Sequence, residues 1–494
     1  MFSVNRNWFK SNRLVYILIF YIILAVIILP RFQYQINPDG IVYISVAKTY
    51  LNGNWAQAID TYHSPLISWL LIPFLSLDPN PAAALFFTKL LSVIVGFFTI
   101  IGFWLLSSIF GLDKNLKTVL TVGMVILTIY FAFNVITPDL LLVCNLIYYL
   151  YFLLDPKYSQ KLFNGAFCGL FGVLAYFAKS YALPFFLVHF CLINAVYYLN
   201  EPSIRRNIVK NLLLGILVFF LISGGWIGLI SDKENKLTYG TAGEFNQDLV
   251  GPNSKGWVLP QIGGDFSEVE SWSPFESWAN FKYQMRIIYG NLLQILNFLQ
   301  YFSYFSILIL LFYIVLCIRP FRELIKSYKL LIPLLTIIIF CGGYTPILVE
   351  ERYLWLVWVL LLLMGGYLLD GLFQTEFFNK YQKTILVLIF SFSFIIAPIT
   401  YLDTYKDSGE DIYQIQKAIN VPIAYSKSAS NGGLDRSLYL SYYLGTDYVG
   451  QAGSKGNYSG LEKQLTSSKV DLYFLWDDET EPSLENYTDR KSVV

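Results

Sequence analysis

The apolar run LVYILIFYIILAVIILP (14–30) and the polar segment behind it, NPDGIVYISVAKTYLNGNW (37–55), decide the fold class of this sequence. The run approaches the roughly 20 apolar residues with which a helix crosses the hydrocarbon core of a membrane. Arg6, Lys10 and Arg13 precede it, as in a signal sequence, but no small-residue cleavage site follows. We therefore expect an uncleaved signal-anchor helix that leads into a polar outer loop.

The rest of the chain repeats this pattern. Of its 494 residues, 55% are hydrophobic and only 14% are charged, against about 25% charged in a typical soluble protein. The sequence predicts a polytopic α-helical membrane protein with about eleven transmembrane helices and a small α/β soluble C-terminal domain. The predicted spans are 14–30, 83–106, 118–134, 139–154, 162–178, 182–199, 211–230, 300–318, 330–347, 353–370 and 384–400. Residues 283–300 are a candidate interfacial helix.

Lysine and arginine are concentrated in every second loop, which predicts the orientation, because cytoplasmic loops carry an excess of these residues. The cation-rich loops hold Lys114 and Lys117; Lys157 and Lys161; Arg205, Arg206 and Lys210; Arg319, Arg322, Lys326 and Lys329; and Lys380 and Lys383. We therefore expect a multi-pass protein of the cell membrane, with a cytoplasmic N-terminus and an extracytoplasmic C-terminal domain.

Two domains follow from this topology. Residues 1–400 form the transmembrane domain, with outer loops at 31–81 and 231–286, and residues 401–494 form the extracytoplasmic α/β domain. In the first loop, the amphipathic stretch 41–51 predicts a helix near the membrane interface. The C-terminal domain is predicted to contain three strands and two helices. The strands are Val421–Tyr425, Tyr448–Gln451 and Leu472–Trp476, and the helices are Ser437–Leu444 and Leu461–Ser468.

Two acidic residues begin helices on the outer side. Asn37 is a good N-cap, Pro38 suits the first helical position, and Asp39 lies in the first turn. Thr137-Pro138-Asp139 repeats the arrangement at another span. Each carboxylate can simply complement a helix dipole, or it can act as a general base that is held rigidly at the membrane surface. Spacing alone leaves both interpretations open, with the structural one stronger at Asp139.

Two basic residues lie at the predicted outer ends of spans. Lys179, in AKSYALP (178–184), can extend to the headgroups or bind a lipid phosphate. Arg352 can bind a phosphate bidentately, but a structural ion pair with Glu350 or Glu351 is the simpler interpretation.

The remaining candidates are aromatic residues and histidines. His63 is more typical of a local hydrogen-bonding residue than of a metal ligand, and His189 lies inside a span. The three tryptophans of the second outer loop form either an interfacial belt, which we favour, or a stacking surface for sugars; they are Trp257, Trp272 and Trp278. No Walker A, HExxH, G-x-S-x-G or Rossmann glycine pattern appears. With 35 basic and 34 acidic residues, no global charge favours nucleic acid.

Four motifs resemble those of the GT-C superfamily of membrane glycosyltransferases, in the branch of bacterial aminoarabinose transferases and protein O-mannosyltransferases. The motifs are PDGIVYISVAKTYLNGNW with YHSPLISWLLIPF, TPDLLL (137–142), AKSYALP, and ERYLWLVWVLLLLMGG (351–366). They match in order and in outward placement, over most of residues 14–370. The sequence departs from the family in two places. Gly40 follows Asp39 where the family often has a second acid, and Ser180-Tyr181 replaces a frequent Gly-Pro.

The resemblance implies an inverting glycosyltransferase that uses a polyprenyl-phosphate-linked sugar donor and a lipid, glycan or protein acceptor at the outer face. It implies Asp39 as the general base with Asp139 as a second catalytic acid. Lys179 and Arg352 would bind the donor phosphate, and Tyr43 and His63 would contact substrate. We expect no organic cofactor, and the sequence does not decide a divalent metal. The alternatives are a lipid or solute transporter or flippase, and a non-catalytic scaffold. Polar residues gathered at one face favour surface chemistry over transport.

Overall fold

The protein is a bundle of apolar helices with a small mixed domain at its C-terminal end. The computed structural model describes residues 12–256, 261–262, 269–317, 328–375, 377–419, 426–453 and 458–476. The helices of the described chain are α1 (Asn12–Phe32), α2 (Pro38–Leu51), α3 (Trp55–Ala58), α4 (Leu66–Leu75), α5 (Pro81–Ile109), α6 (Lys114–Asn134), α7 (Asp139–Leu153), α8 (Leu162–Ala178), α9 (Ala182–Asn200), α10 (Arg205–Glu234), α11 (Ala242–Leu249), α12 (Trp278–Phe302), α13 (Ser306–Cys317), α14 (Tyr328–Tyr344), α15 (Trp355–Phe373), α16 (Lys380–Thr404), α17 (Glu410–Ile419), α18 (Leu434–Leu444) and α19 (Leu461–Ser467). Short 3-10 turns lie at Tyr158–Gln160, Pro202–Ile204 and Glu351–Leu354.

Each predicted span coincides with an apolar helix, which confirms the fold class of a polytopic α-helical membrane protein. Within the described residues, seven helices are long and apolar enough to cross a membrane, and a bent pair makes an eighth. The helices α7, α8 and α14 are apolar but shorter than the usual span. The number eleven therefore remains a prediction.

The bent pair joins α12 to α13. The two helices meet at an angle of 109° across a break at residues 303–305. A helix that lies along the membrane interface before it enters the bilayer produces such a bend, and α12 includes the predicted interfacial stretch 283–300. Tyr289, Leu292 and Leu296 are exposed along this helix, as expected for a face in contact with lipid.

Three helices fill the first outer loop between α1 and α5, where the amphipathic stretch 41–51 predicts a helix at the interface. Of these, α2 and α4 pack against each other, and the hydroxyl of Ser68 donates a hydrogen bond of 3.0 Å to the carbonyl of Tyr43. Pro38 occupies the first position of α2, where its missing N–H is not needed by the helix. This packing fixes the start of α2, where Asp39 lies.

The C-terminal domain contains a three-stranded parallel sheet in the order β2-β1-β3. Its strands are β1 (Lys427–Ser430), β2 (Asp447–Gln451) and β3 (Leu472–Phe474). Parallel strands require crossover connections, and α18 and α19 supply them. The second and third predicted strands and both predicted helices are confirmed, with small differences at their ends. The central strand β1 was not predicted, and the predicted strand at 421–425 lies outside the described residues.

This domain docks on one end of the helix bundle, the end predicted to face outward, through an apolar cluster. From the membrane side the cluster takes Ile36, Leu85 and Ile136, and from the C-terminal domain it takes Ile412, Leu440, Tyr443 and Phe474. Hydrogen bonds reinforce the contact: the hydroxyl of Tyr442 donates to the carbonyl of Pro81 at 2.8 Å. Ile36 and Ile136 immediately precede the two acidic motifs of the outer face. The C-terminal domain therefore rests on the segments that carry these motifs.

The second outer loop lies across the first. The backbone N–H of Thr241 donates to the carbonyl of Thr61 at 2.8 Å, and the Tyr176 hydroxyl donates to the carbonyl of Tyr239 at 3.0 Å. The indole of Trp272 donates to a carbonyl within the loop, while Trp278 is 67% exposed at the start of α12. The exposure of Trp278 is consistent with a residue at the membrane interface, whereas Trp272 has a structural role within the loop. Trp257 lies outside the described residues.

Candidate active site

The two acidic motifs, predicted to lie at the outer face, are bound directly to each other. The side-chain oxygen of Asn37 accepts a hydrogen bond of 2.9 Å from the N–H of Ile136, and its amide donates to the Ile136 carbonyl at 3.3 Å. A Cβ at Gly40 would lie 2.9 Å from the Cβ of Ile136, so the close approach requires glycine. Asn37 is the N-cap residue of α2, as predicted, but its side chain joins the two motifs and forms no capping hydrogen bond.

Asp139 is the more deeply buried of the two acids, with a side chain that is 2% exposed. The helix begins at Asp139 itself, so Thr137 does not cap it as predicted; its buried hydroxyl has no hydrogen-bond partner among the described residues. The carboxylate accepts a hydrogen bond of 2.7 Å from the Nζ of Lys179. Because a buried charge is strongly destabilising unless it is paired, this contact accounts for the burial of Asp139.

Lys179 follows the last residue of α8 in an extended conformation. Its side chain turns inward, is 20% exposed, and places Nζ 3.4 Å from the ring centroid of Tyr353. The ring of Tyr344 stacks on that of Tyr353 at a centroid distance of 5.1 Å. The ammonium group is therefore held between a carboxylate and an aromatic face, and it does not extend outward to the headgroups.

Arg352 lies between the two acids. Its Nη1 donates to the Oδ2 of Asp39 at 2.8 Å, and its Nε lies 4.0 Å from the Oδ2 of Asp139. It also donates to Glu350, so the predicted structural pair forms as well. Glu351 turns away, where its carboxylate accepts hydrogen bonds from Tyr130 and Trp355. One guanidinium thus bridges both candidate catalytic carboxylates.

His63 stands on the other side of Asp39. Its Nδ1 lies 3.1 Å from the Oδ2 of Asp60, and its Nε2 lies 4.0 Å from the Oδ1 of Asp39. Asp60 also accepts hydrogen bonds from the backbone N–H groups of Tyr62 and His63, both at 2.8 Å, which hold the turn 60–63. Tyr43 packs edge-on against the imidazole with only 5% of its surface exposed. Tyr43 therefore supports His63 and offers little surface to a substrate.

These contacts shift the acid–base properties of the site. Burial acts to raise the pKa of Asp39, but the neighbouring His63 and Arg352 outweigh it, and the pKa lies well below its usual value. Burial acts to lower the pKa of His63, yet Asp39 and Asp60 raise it to about 9. At neutral pH Asp39 is therefore a carboxylate and His63 an imidazolium.

A cavity of about 570 Å³ opens beside Lys179. Its inner wall is apolar and comes from α9 and α14, including Phe185, Val188 and Ile339. Its outer wall comes from the second outer loop and includes Asn246 and Gln247. The cavity therefore changes from polar to apolar along its length, with a cation at one side, and this suits an amphipathic anion.

The structure brings together all six residues that the sequence singled out, which are Asp39, Asp139, Lys179, Arg352, His63 and Tyr43. Two members of the cluster were missed. Asp60 lies three residues before His63, and Tyr353 directly follows Arg352, so sequence proximity was a usable signal in both cases. Among the residues that the structure describes, no group of three or more His, Cys, Asp or Glu side chains is arranged to hold a metal ion.

The fold of this chain, but not its sequence, is similar to that of known proteins. No family model matches the chain, and no curated protein sequence matches it. The structure is similar to that of ArnT from Cupriavidus metallidurans bound to undecaprenyl phosphate, with a TM-score of 0.57 and 13% identity over 92% of this chain and 89% of that one. It is also similar to the apo form of the Archaeoglobus fulgidus oligosaccharyltransferase, with a TM-score of 0.50 and 11% identity over 94% of this chain and 69% of that one. Both neighbours are GT-C membrane glycosyltransferases.

Proposed function

From the GT-C fold of this chain, we propose that it transfers a sugar from a polyprenyl-phosphate-linked donor to an acceptor hydroxyl at the outer face of the membrane. One observation carries the proposal: the pairs Lys179–Asp139 and Arg352–Asp39 converge beside a cavity that changes from polar to apolar. This reaction needs three groups: cations that bind the phosphate, a carboxylate that accepts the proton of the hydroxyl, and an apolar wall that contacts the lipid.

The cavity supports a lipid-linked donor. In the proposed complex, the isoprenoid chain lies against Phe185, Val188 and Ile339, and the phosphate lies near Lys179. The similar structure of ArnT was solved with undecaprenyl phosphate, a lipid of this class. An outward-facing site also lacks cytosolic nucleotide sugars, so a sugar carried by a lipid is a suitable donor.

Lys179 and Arg352 have the charge that a departing phosphate requires. When the bond between the anomeric carbon and the phosphate oxygen breaks, the phosphate gains negative charge, and preorganised cations stabilise it most in that state. In the structure the same two cations bind Asp139 and Asp39. Binding of the donor therefore replaces carboxylate partners with a phosphate partner.

Asp39 is the proposed general base. Its side chain is 36% exposed, whereas that of Asp139 is 2% exposed, so an acceptor can approach Asp39 more readily. The acceptor oxygen attacks the anomeric carbon, its proton passes to Asp39, and the polyprenyl phosphate leaves from the opposite face. This direct displacement inverts the anomeric centre. A carboxylate with a pKa as low as that of Asp39 is a weak base. Asp39 becomes a stronger base when Arg352 leaves it to bind the phosphate.

Asp139 and His63 have supporting roles in this scheme. Asp139 holds Lys179 at 2.7 Å and lies 4.0 Å from Arg352, so it sets the position of both phosphate-binding cations. His63 orients Asp39 from the other side and lies at the edge of the site, where it can contact the substrate. The acceptor is a lipid, a glycan or a protein hydroxyl.

A transfer assay tests the proposal. Purified protein is incubated with a panel of radiolabelled polyprenyl-phosphate sugars and a membrane extract as the acceptor source. We expect sugar transfer with release of an equal amount of polyprenyl phosphate, and loss of both in a Lys179→Ala/Arg352→Ala variant. If reconstituted protein instead moves the intact donor across vesicles without cleaving it, the chain is a flippase and the proposal is wrong.

A further inference from the structure

A buried lysine outside the candidate active site holds the two segments that lead to its carboxylates. Lys89 lies on α5 near its outer end and has no exposed surface. Its Nζ donates to the Oε1 of Gln35 at 3.0 Å and to the backbone carbonyl of Phe133 at 3.2 Å. Both acceptors are neutral. A lysine in an apolar bundle with neutral partners is costly, so its contacts call for an explanation.

Both partners of Lys89 precede an acid of the site by a few residues. Gln35 lies four residues before Asp39, and Phe133 lies six residues before Asp139. Phe133 belongs to the last turn of α6, whose carbonyl groups have no partners within the helix. A cation at this end of a helix also interacts favourably with the helix dipole. Lys89 thus connects the segment that leads to Asp39 with the segment that leads to Asp139.

Neighbouring hydrogen bonds also connect these two segments. The amide of Gln35 donates to the hydroxyl of Tyr401 at 3.4 Å, and that hydroxyl donates to the carbonyl of Asn134 at 3.2 Å. One step closer to the site, Asn37 pairs with the backbone of Ile136. The two segments are therefore bridged three times in succession, and Lys89 is the most deeply buried of the bridges.

We propose that Lys89 is a positioning residue that sets the separation of Asp39 from Asp139. This inference rests on the proposed function, because it assigns Lys89 a role in that reaction without contact with the substrate. Lys179 and Arg352 come from other elements, the end of α8 and the turn before α15. Lys89 therefore does not hold the backbones that carry these two cations, and its loss should displace the carboxylates more than the cations. Since misplacement by about 1 Å can lower a rate by about a hundredfold, the effect should be visible in turnover.

The test compares Lys89→Met with Lys117→Met. Lys117 is also a largely buried lysine of this bundle, at the cytoplasmic end, where it contacts Ser108 and the ring of Trp104. Two quantities are measured in folded protein matched by size-exclusion chromatography. The first is hydrogen–deuterium exchange of the backbone in residues 34–40 and 134–140. The second is kcat for sugar transfer together with the affinity for polyprenyl phosphate.

For Lys89→Met we expect about tenfold faster exchange in both segments. We also expect kcat to fall by about ten- to a hundredfold, with lipid phosphate affinity unchanged within about threefold. Lys117→Met should change none of these values. Unchanged exchange in the two segments of Lys89→Met, or wild-type kcat despite faster exchange, would overturn the inference. If the wild-type protein itself transfers no sugar, the proposed function fails, and the exchange measurement still decides whether Lys89 holds the two segments.

Discussion

Arg352 has two competing partners in the proposed reaction, the carboxylate of Asp39 and the phosphate of the donor. In the structure it bonds to Asp39 at 2.8 Å and, together with His63, keeps the carboxylate ionised and weakly basic. Once a phosphate takes this guanidinium, Asp39 loses one of the two cations that lower its pKa and becomes a better base. The exchange couples donor binding to base strength, so the acceptor is activated only when a donor is present.

This competition predicts that loss of the carboxylate improves lipid binding. In Asp39→Asn, Arg352 no longer has to leave a charged partner, so the affinity for polyprenyl phosphate should rise by about three- to tenfold, within the range of a charge-assisted hydrogen bond. Titration of the detergent-purified variant by native mass spectrometry measures this. Weaker binding than in the wild type would mean that Arg352 does not exchange between the two partners.

Replacement of Lys179 should change the KM for the donor but not the KM for the acceptor. Its replacement in Lys179→Ala removes one charge-assisted hydrogen bond to phosphate, a loss of roughly 1.5–3 kcal/mol, or about ten- to a hundredfold in donor KM. The matched control is Lys406→Ala, because Lys406 forms an exposed ion pair with Asp403 in the C-terminal region. An unchanged donor KM in Lys179→Ala would leave Lys179 with a structural role only.

The turn 60–63 is the element with the clearest pH dependence. The folded protein raises the pKa of His63 from 6.5 to about 9, so protonated His63 favours the folded state. This stabilisation, roughly 3 kcal/mol, is fully present below pH 6.5 and is lost as the pH rises through 9. Asp39 and Asp60 have lowered pKa values and stay ionised over this range.

His63→Gln should therefore lower the melting temperature most at pH 6 and least at pH 9.5. Thermal unfolding of the two proteins across this range, followed by intrinsic fluorescence, gives the difference at each pH. A difference that stays constant from pH 6 to pH 9.5 would show that His63 is not held as an imidazolium between Asp39 and Asp60.

At the scale of elements, hydrophobic patterning was sufficient to place the helices but not their contacts. Each apolar run became a helix, since burial in lipid requires every backbone group to be paired within the segment. Asn37 is the N-cap residue of α2, but its side chain bonds to a distant segment, because tertiary partners override a local preference. Thr137 has the residue type of a helix cap, yet the cap position of α7 falls on Pro138. The strand β1 was missed because KSAS (427–430) is polar and small, and its place in the sheet depends on distant neighbours.

The candidate site was predictable residue by residue but not as a network. The acids and cations were evident from their outward position beside proline or at span ends. Their pairing was not, because Asp39 and Arg352 are 313 residues apart in the chain. Lys89 gave no signal at all in the sequence, since its partners are an amide and a backbone carbonyl that only the fold brings near.

At the scale of the whole molecule, the proposed reaction requires the site and the C-terminal domain to face the outside. Single cysteines at Ser408 and Ser254, on a background without reactive native cysteines, should react with an impermeant thiol reagent in intact cells. A cysteine at Gln160, exposed between α7 and α8, should react only after permeabilisation. The reverse pattern would place the site in the cytoplasm, where nucleotide sugars are available, and would remove the reason for a lipid-linked donor.

One rate measurement decides whether Asp39 performs base chemistry on a lipid-linked sugar. Sugar transfer at saturating donor is compared in folded wild-type and Asp39→Asn protein, with Asp139→Asn alongside. Asn preserves size and most hydrogen bonding but removes the basic oxygen, so we expect turnover to fall by about 10² to 10⁴, with a smaller loss in Asp139→Asn. If Asp39 only complements a helix dipole, an interaction worth roughly 0.3–1 kcal/mol, turnover of Asp39→Asn should stay within about twofold of wild type. That result would show that Asp39 is not the general base.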